Sequence, residues 1–317
     1  MRLSPNVTGA LFMIAAMAAF SINDATVKLL TTEIGIGQIM FVRGLILSIF
    51  AVGIAWRSRV LSRLGAMFDI RVGLRSCCEL VAAIAFLEAL KQMPLANAAA
   101  IIQCLPLAVT LGAALFMGEP VGWRRWSAII VGFIGVMIII KPGPDGFEQG
   151  AVFAVVAMLA ASGRDLLTKT IRTDIPAIII TLGTALTLTI GGAILGSIEQ
   201  DWSMMSLPIT AKLLLAALFL LSGYQFLVFA VRLGDISYIA PFRYAGLIWA
   251  TLLGMLLFSA YPGPNVLVGG AIVVVAGLYS FYRERKRVAQ GNLAPETLVP
   301  AARGTVVVPP DEDGKGP

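Results

Sequence analysis

The chain consists of long blocks of apolar residues separated by short polar or charged segments. Stretches such as GALFMIAAMAAF and AIIVGFIGVMIII are apolar on every face of a helix. The blocks are close to the roughly 20 residues that a helix needs to cross a bilayer. They lack the ten-residue alternation of apolar and polar positions that membrane β-strands show. Because lipid offers the backbone no hydrogen-bond partners, the pattern predicts an all-α integral membrane protein.

Ten transmembrane helices are predicted, and beyond Tyr282 the chain becomes first basic and then rich in proline, glycine and acidic residues. This last composition predicts a disordered cytoplasmic tail over residues 288–317. The ten spans cover approximately residues 7–30, 35–56, 72–90, 96–117, 124–140, 150–170, 175–196, 210–231, 236–259 and 265–282.

The chain contains two similar halves. MAAFSINDATVK at residues 17–28 matches MLAASGRDLLTK at 158–169 with an offset of 141, and LGAALFMGEP at 111–120 matches LGMLLFSAYP at 253–262 with an offset of 142. These matches predict two five-helix units, residues 1–141 and 142–287. Because five is odd, the second unit is inverted relative to the first. Inverted repeats are typical of secondary transporters, which bind their substrate near the midplane between the halves.

Composition supports a membrane protein and excludes several other classes. Hydrophobic residues make up 58% of the chain and charged residues 13%, and the mean hydropathy is +0.88. A soluble domain carries about 25% charged residues. The net charge of +6 lies in short loops beside the spans, so it does not indicate nucleic-acid binding. Histidine is absent and the three cysteines show no metal or disulfide spacing, so no cofactor is expected.

The distribution of basic residues predicts the orientation in a bacterial inner membrane. Loops with an excess of lysine and arginine face the cytoplasm, so both termini are predicted to be cytoplasmic. The predicted loops on that side contain Arg57, Arg59, Arg63, Arg71, Arg75, Arg124, Arg125, Arg172, Arg232, Arg283, Arg285, Lys286 and Arg287.

Several motifs resemble the drug/metabolite transporter superfamily, EamA type, over about residues 7–282. They are the Asp-x-x-x-Lys segment of helix 1, FVRG in helix 2 and a helix 4 that ends in GE. The resemblance implies ten helices around a central cavity lined mainly by helices 1, 3, 4, 6, 8 and 9. The second half departs from the first in two places: Arg43 has no basic counterpart near residues 181–184, and Tyr261 stands where the first half has Glu119. Gates formed by the two halves are therefore predicted to differ chemically.

Intramembrane charges are the first candidate functional residues, because charges in a bilayer are costly and commonly functional. Asp24 and Lys28 lie on one helix face, either as an ion pair with Lys28 reaching the headgroups or as part of a polar pathway. In the pathway interpretation Asp24, beside Asn23, binds a proton or a substrate amine. Arg43 lies deep in span 2 and needs a partner, for which Asp24 and Glu79 are candidates. It is either a structural clamp or a substrate contact.

Prolines interrupt spans 4 and 9 at corresponding places, in AIIQCLPLAVT and IAPFRYAGLIWA. Broken helices in both repeats of a transporter point to its binding site. The alternative is that Arg243 reaches the cytoplasmic edge while the aromatic residues face lipid. Tyr224 and Gln225 are further candidates, as a polar pair in a buried span. The candidates near the two breaks are Gln103, Pro106, Pro241, Phe242, Arg243, Tyr244 and Trp249.

Together these features predict a secondary transporter of a small organic solute. The opening segment and PFRYAGLIWA resemble a branch that includes bacterial riboflavin importers and S-adenosylmethionine transporters, which implies riboflavin uptake. Export of amino acids or other metabolites is the alternative. A membrane-embedded enzyme is disfavoured because no catalytic cluster of His, Asp or Cys is present. No Walker motif is present, so the chain does not hydrolyse ATP. The pattern does not indicate an oligomeric state.

Overall fold

The computed structural model describes residues 4–141, 148–172 and 174–289, which are helical and contain no β-strand. Apart from Val288 and Ala289, which belong to the last helix, the predicted tail lies outside these ranges. The helices are α1 Pro5–Leu30, α2 Ile36–Arg57, α3 Ile70–Gln92, α4 Leu95–Ile102, α5 Leu105–Phe116, α6 Trp123–Ile140, α7 Gln149–Thr170, α8 Ala177–Glu199, α9 Leu207–Leu233, α10 Ile236–Ile239, α11 Ala245–Phe258 and α12 Pro264–Ala289. Two 3₁₀ helices cover Leu61–Phe68 and Ala240–Tyr244.

Local sequence explains several helix ends. Ser4 precedes α1, where its hydroxyl oxygen accepts a hydrogen bond from the Val7 N–H at 3.4 Å, and Pro5 occupies the first helical position. Asp69 accepts a hydrogen bond from the Arg71 N–H at 2.9 Å at the start of α3. Such caps satisfy N–H groups that have no partner within the helix.

Nine helical segments of the described ranges are long and apolar enough to cross a membrane. They confirm the all-α, multi-pass membrane class. The helix α3 has 23 residues and coincides with the third predicted span, but it is not among the nine. It is the most highly charged of the long helices, and its ionisable residues include Arg75 and Glu79. The count of ten spans therefore stays a prediction.

The helices pack in pairs that bring distant parts of the chain together. The pairs are α1 with α9, α2 with α8, α3 with α7 and α6 with α12, while α4 packs on α11. Each pair joins one helix from the first predicted unit to one from the second. The two units therefore share one bundle interior.

Burial is uneven along the bundle. We call the end that holds Leu30 and the end of α3 the upper end, and the end where α1 begins the lower end. Large side chains such as Leu30, Leu90 and Leu95 are fully buried near the upper end. Towards the lower end, the 3₁₀ helix Ala240–Tyr244 has no buried residue and Phe116 is 83% exposed. The larger buried core therefore lies towards the upper end, and two smaller buried clusters lie towards the lower end.

Helix boundaries recur with the offset found in the sequence motifs. The helices α2 and α8 begin at Ile36 and Ala177, and α3 and α9 end at Gln92 and Leu233. Both differences are 141 residues. The interrupted segment α4–α5 likewise corresponds in order to the segment from α10 to α11.

Glycine allows α2 and α8 to approach closely. A Cβ atom at Gly37 would collide with the backbone of Gly196, whereas a Cβ atom at Gly53 would meet nothing within 4 Å. Both glycines belong to α2, so the helix carries a tightly packed and an unpacked position of the same type.

We expect Gly37→Ala to destabilise the bundle by about 1–3 kcal/mol, because the added methyl group forces α2 away from α8. The control Gly53→Ala adds the same atom at an open position and should be neutral or slightly stabilising, since alanine favours helix more than glycine does. Thermal unfolding of the purified proteins in detergent measures both effects. Equal melting temperatures for the two variants would contradict this packing.

Candidate substrate pathway

A polar cluster lies in the upper half of the bundle, between α1 and α2. Asn23 is buried; its side-chain N–H donates to Asp24 at 2.8 Å, and its side-chain oxygen accepts a hydrogen bond from Arg43 at 3.1 Å. Asn23 thus connects a carboxylate and a guanidinium that sit on different helices. The Nε atom of Arg43 is buried and makes no hydrogen bond within the described residues.

Lys28 does not pair with Asp24. Its ammonium group instead donates hydrogen bonds to the backbone carbonyls of Leu90 and Met93, the latter at 2.8 Å, and lies 5.5 Å from the ring centre of Phe258. These carbonyls end α3, where backbone oxygens lack partners within the helix and the helix dipole favours a cation. The ion-pair interpretation of Asp24 and Lys28 is therefore wrong.

A second cluster lies in the lower half, between α3 and α7. Arg164 forms salt bridges with Glu79 and with Asp165, each at 2.8 Å. Glu79 is therefore occupied by Arg164, and of the two partners considered for Arg43, Asp24 is the one within its reach. The side chains of this cluster are partly exposed, so water or a solute can reach them.

Arg75 extends this second cluster to α8. It donates hydrogen bonds to the hydroxyl oxygens of Thr168 at 3.0 Å and Thr184 at 2.6 Å. The sequence interpretation placed Arg75 in a loop, but the residue lies inside α3. Thr184 follows Arg43 by 141 positions, so Arg75 brings a guanidinium to the place where the second half lacks one.

Tyr224 lies between the two clusters. It interacts electrostatically with Arg43 of the upper cluster and with Glu79, Arg75 and Arg164 of the lower one. Its side chain is 51% exposed although it belongs to the long helix α9. Because charged side chains from α2, α3 and α7 surround it, this exposed area faces the bundle interior rather than lipid. The ring also contacts Phe20 edge-on, with 5.2 Å between the centroids.

The two helix interruptions come together in the fold. The chain turns at Gln103 and Cys104 before α5, whose second residue is Pro106, and Pro241 lies in a 3₁₀ helix. The side-chain amide of Gln103 donates to the backbone carbonyl of Arg243 at 3.4 Å. Proline cannot donate the hydrogen bond that would continue an α-helix, which explains both interruptions.

Arg243 and Pro106 line a cavity of about 130 Å³ in the lower half. Its other charged walls include Asp165 and the ion pair between Lys169 and Glu119, whose atoms are 3.0 Å apart. Arg243 is exposed, which agrees with both the pathway interpretation and its alternative at the cytoplasmic edge. The cavity lies next to the second cluster because the two share Asp165.

Other predicted residues have less direct connections to the clusters. Phe242 packs at 6.0 Å from the Tyr238 ring and against a small core that includes Met13 and Ile239. Tyr244 packs its hydroxyl against Gly277, where any side chain would collide with it. Trp249 is half-buried.

The expectation that Tyr224 and Gln225 form a buried polar pair is wrong. Both residues are exposed, because successive helix positions point in different directions and neither side is fully packed. The side chain of Gln225 makes no hydrogen bond within the described residues.

Sequence reasoning missed Arg164 and underestimated Arg75. Arg164 and Asp165 are the repeat counterparts of Asn23 and Asp24, so aligning the two halves could have identified Arg164 as a candidate. In the first half the Asn23 amide connects Asp24 to the Arg43 guanidinium. In the second half the guanidinium of Arg164 stands at the position of this amide and binds Asp165 directly. Among the residues with described positions, no group of His, Cys, Asp and Glu could hold a metal ion.

Residues 7–141 match the profile of the EamA-like transporter family. This part of the chain is therefore similar to that family. It is 29% identical to a riboflavin transporter of Rhizobium johnstonii over 89% of this chain and 93% of the relative. A crystal structure that is 19% identical has the same fold, with a TM-score of 0.53 and coverage of 89% of this chain and 99% of that one.

Two other relatives have different names. An S-adenosylmethionine uptake transporter of Rickettsia felis is 27% identical, over 62% of this chain and 66% of the relative. A pseudopaline exporter of Pseudomonas aeruginosa is 26% identical over 85% of this chain and 94% of the relative. All three relatives are named as transporters, which agrees with the prediction of a transporter.

The ion pairs of the lower cluster predict a specific energetic coupling. In a double-mutant cycle with Glu79→Gln and Arg164→Gln, we expect a coupling of about 0.5–3 kcal/mol, because the two side chains are in contact. The matched cycle of Glu79→Gln with Arg43→Gln should be additive, since Arg43 has a different partner. Thermal unfolding in detergent gives the four values of each cycle. A larger coupling in the second cycle would contradict the pairing.

Proposed function

We propose that the protein is a secondary transporter that takes up riboflavin across a bacterial inner membrane. The observation that carries this proposal is the match to the riboflavin transporter over 93% of that relative. The match to the S-adenosylmethionine uptake transporter covers 66% of the relative, so it leaves more of that protein without a counterpart here.

Transport by alternating access is supported by the repetition of the chain. Residues 1–141 and 142–287 are proposed to form two inverted five-helix units, and their helix boundaries recur at an offset of 141. The helix packing has the same symmetry. In the repeat α1 corresponds to α7 and α9 to α3, and both α1–α9 and α7–α3 are packed pairs. The lower end is proposed to face the cytoplasm, because it carries the arginine-rich loops.

The charges around Tyr224 are balanced, which favours an uncharged solute. An unpaired charge in a partly desolvated site is costly, so a charged solute would need an opposite charge that is not already neutralised. Riboflavin is uncharged at neutral pH, whereas S-adenosylmethionine has a net positive charge. The six groups are the cations Arg43, Arg75 and Arg164 and the anions Asp24, Glu79 and Asp165.

The same region offers suitable contacts for a flavin ring. Tyr224 and Phe20 form an aromatic pair beside the upper cluster, and planar solutes stack on such rings. Arg43 has a buried guanidinium nitrogen without a partner within the described residues, and a ring carbonyl would satisfy this donor if solute binding exposed it. A planar, uncharged solute with carbonyl acceptors fits both features.

Uptake of labelled riboflavin tests the proposal in bacteria that neither make nor import this vitamin. We expect saturable uptake, competed by unlabelled riboflavin, that depends on the protein. Tyr224→Ala should lower uptake about tenfold, which corresponds to about 1.4 kcal/mol of lost aromatic contact. Tyr261→Ala is the matched control, because Tyr261 is 80% exposed and lies outside both clusters.

Absence of uptake with the protein present in the membrane would contradict riboflavin as the substrate. Equal uptake by the Tyr224 and Tyr261 variants would instead contradict the site. Comparison of metabolites inside and outside the same cells would then identify the transported solute.

Export is a second candidate function, since the pseudopaline exporter matches over 94% of its length. An alternating-access carrier can run in both directions, so the residues do not decide between uptake and export. Net loss of riboflavin from cells against a higher external concentration of the vitamin, dependent on the protein, would support export.

The balanced charges also predict discrimination between riboflavin and its phosphate ester. The ester should compete poorly with riboflavin uptake, because the three cations and three anions around Tyr224 leave no net positive charge for its anionic phosphate. Glu79→Gln should improve competition by the ester about fivefold, because Arg164 then has one carboxylate fewer to pair with. Arg75→Gln, which removes a cation, is the matched control and should give no improvement. Equal competition by the two flavins in the unmodified protein would contradict this selectivity.

A further inference from the structure

We propose that Lys28 and Lys169 are equivalent gate residues at the two ends of the pathway. Each lysine closes its end by binding the carbonyls that end a neighbouring helix, and each is released when the other closes. The inference rests on the alternating access proposed above, but it does not depend on the identity of the solute.

The upper gate is closed in this structure. Lys28 binds the carbonyls of Leu90 and Met93 at the end of α3, in the first unit, and lies over the ring of Phe258 at the end of α11, in the second. One ammonium group therefore joins helix ends from both units. Leu90 and Met93 are buried, so the contact seals a closely packed region.

The lower end has Lys169 at the equivalent position of the repeat, but its contacts differ. Lys169 pairs with Glu119, and Phe116, the repeat counterpart of Phe258, is 83% exposed. The residues that would complete a lower gate are present but are not used by Lys169.

The unused acceptors can be identified from the repeat. Adding 141 to Leu90 and Met93 leads to Val231 and Gly234, at the end of α9. Both helices end in the same way: the N–H of Met93 donates to the Ala89 carbonyl at 2.9 Å, and the N–H of Gly234 donates to the Ala230 carbonyl at 3.0 Å. The final carbonyls of α9 are therefore acceptors of the kind that Lys28 binds on α3.

In the opposite state of the carrier, each unit adopts the conformation that the other unit has in this structure. In that state Lys169 leaves Glu119, binds the carbonyls of Val231 and Gly234, and covers Phe116. Lys28 leaves Phe258, so the upper end opens while the lower end closes.

The two gates differ in one residue that decides which state is favoured. Glu119 holds Lys169 away from α9, whereas its counterpart Tyr261 has no carboxylate to attract Lys28 in the same way. This difference favours the state with a closed upper gate and an open lower gate, in agreement with the exposure of the lower half.

Access of a thiol reagent from each side tests the proposal. The reporter is Tyr224→Cys in a chain whose three natural cysteines are replaced by alanine, and the reagent is a membrane-impermeant charged maleimide. It is applied to right-side-out and inside-out vesicles, and the ratio of labelling rates from the upper and lower sides is measured. Because the readout is a ratio, differences in protein amount cancel.

We expect Lys28→Met to raise the upper-to-lower ratio by about tenfold, the effect of losing one charge-assisted hydrogen bond. Glu119→Gln should also raise the ratio, because it releases Lys169 for the lower gate. Lys169→Met should lower the ratio. Lys91→Met is the matched control, since Lys91 lies beside Leu90 but is exposed, and it should leave the ratio unchanged.

Opposite effects of the two lysine substitutions support paired gates. Changes in the same direction, or a ratio unaffected by both, would overturn the proposal and leave Lys28 as a structural anchor of α3. Riboflavin transport is not needed for this readout. A failed uptake assay with opposite labelling effects would therefore contradict the substrate and leave the gates supported.

Discussion

Compensation of charge inside an apolar bundle is the constraint on which the rest of this structure depends. A guanidinium or carboxylate within a membrane is costly unless another part of the protein neutralises it. Arg43 meets Asp24 through the amide of Asn23, while Arg164 meets two carboxylates directly. These contacts join α1 to α2 and α3 to α7, so the polar groups that can contact a solute also hold helices together.

The repeat gives the two halves a common framework with different chemistry. Asp24 and Asp165 occupy equivalent positions, but their neighbours are an amide in one half and a guanidinium in the other. Lys28 and Lys169 are also equivalent, yet one binds backbone carbonyls and the other a glutamate. Under the proposed alternating access, such substitutions within a duplicated framework give the two arrangements different energies without changing the helices.

Several sequence interpretations went wrong where a side chain's surroundings come from distant helices. Arg75 was counted with the arginines of the loops because basic residues near a span end usually lie there, although the predicted span 72–90 and α3 both include it. Glu79 was a candidate partner for Arg43, yet Arg164, 85 positions further along the chain, occupies it. The pair Tyr224 and Gln225 was expected to be buried because α9 is apolar, but apolarity does not distinguish a lipid-facing helix from one beside an internal cavity.

The sequence by itself determined the membrane class, the approximate helix positions, the proline interruptions and the duplicated pattern. These are local properties, since helix formation in lipid depends on a continuous apolar run and proline acts on its own turn. The tertiary structure alone decided which charges pair, that Tyr224 lies between both clusters, and that Lys28 binds the carbonyls at the end of α3. Those properties depend on distances between helices that are far apart in the chain. The energy of an ion pair is set by such distances and by local exposure, and neither can be read from the spacing of residues along the sequence.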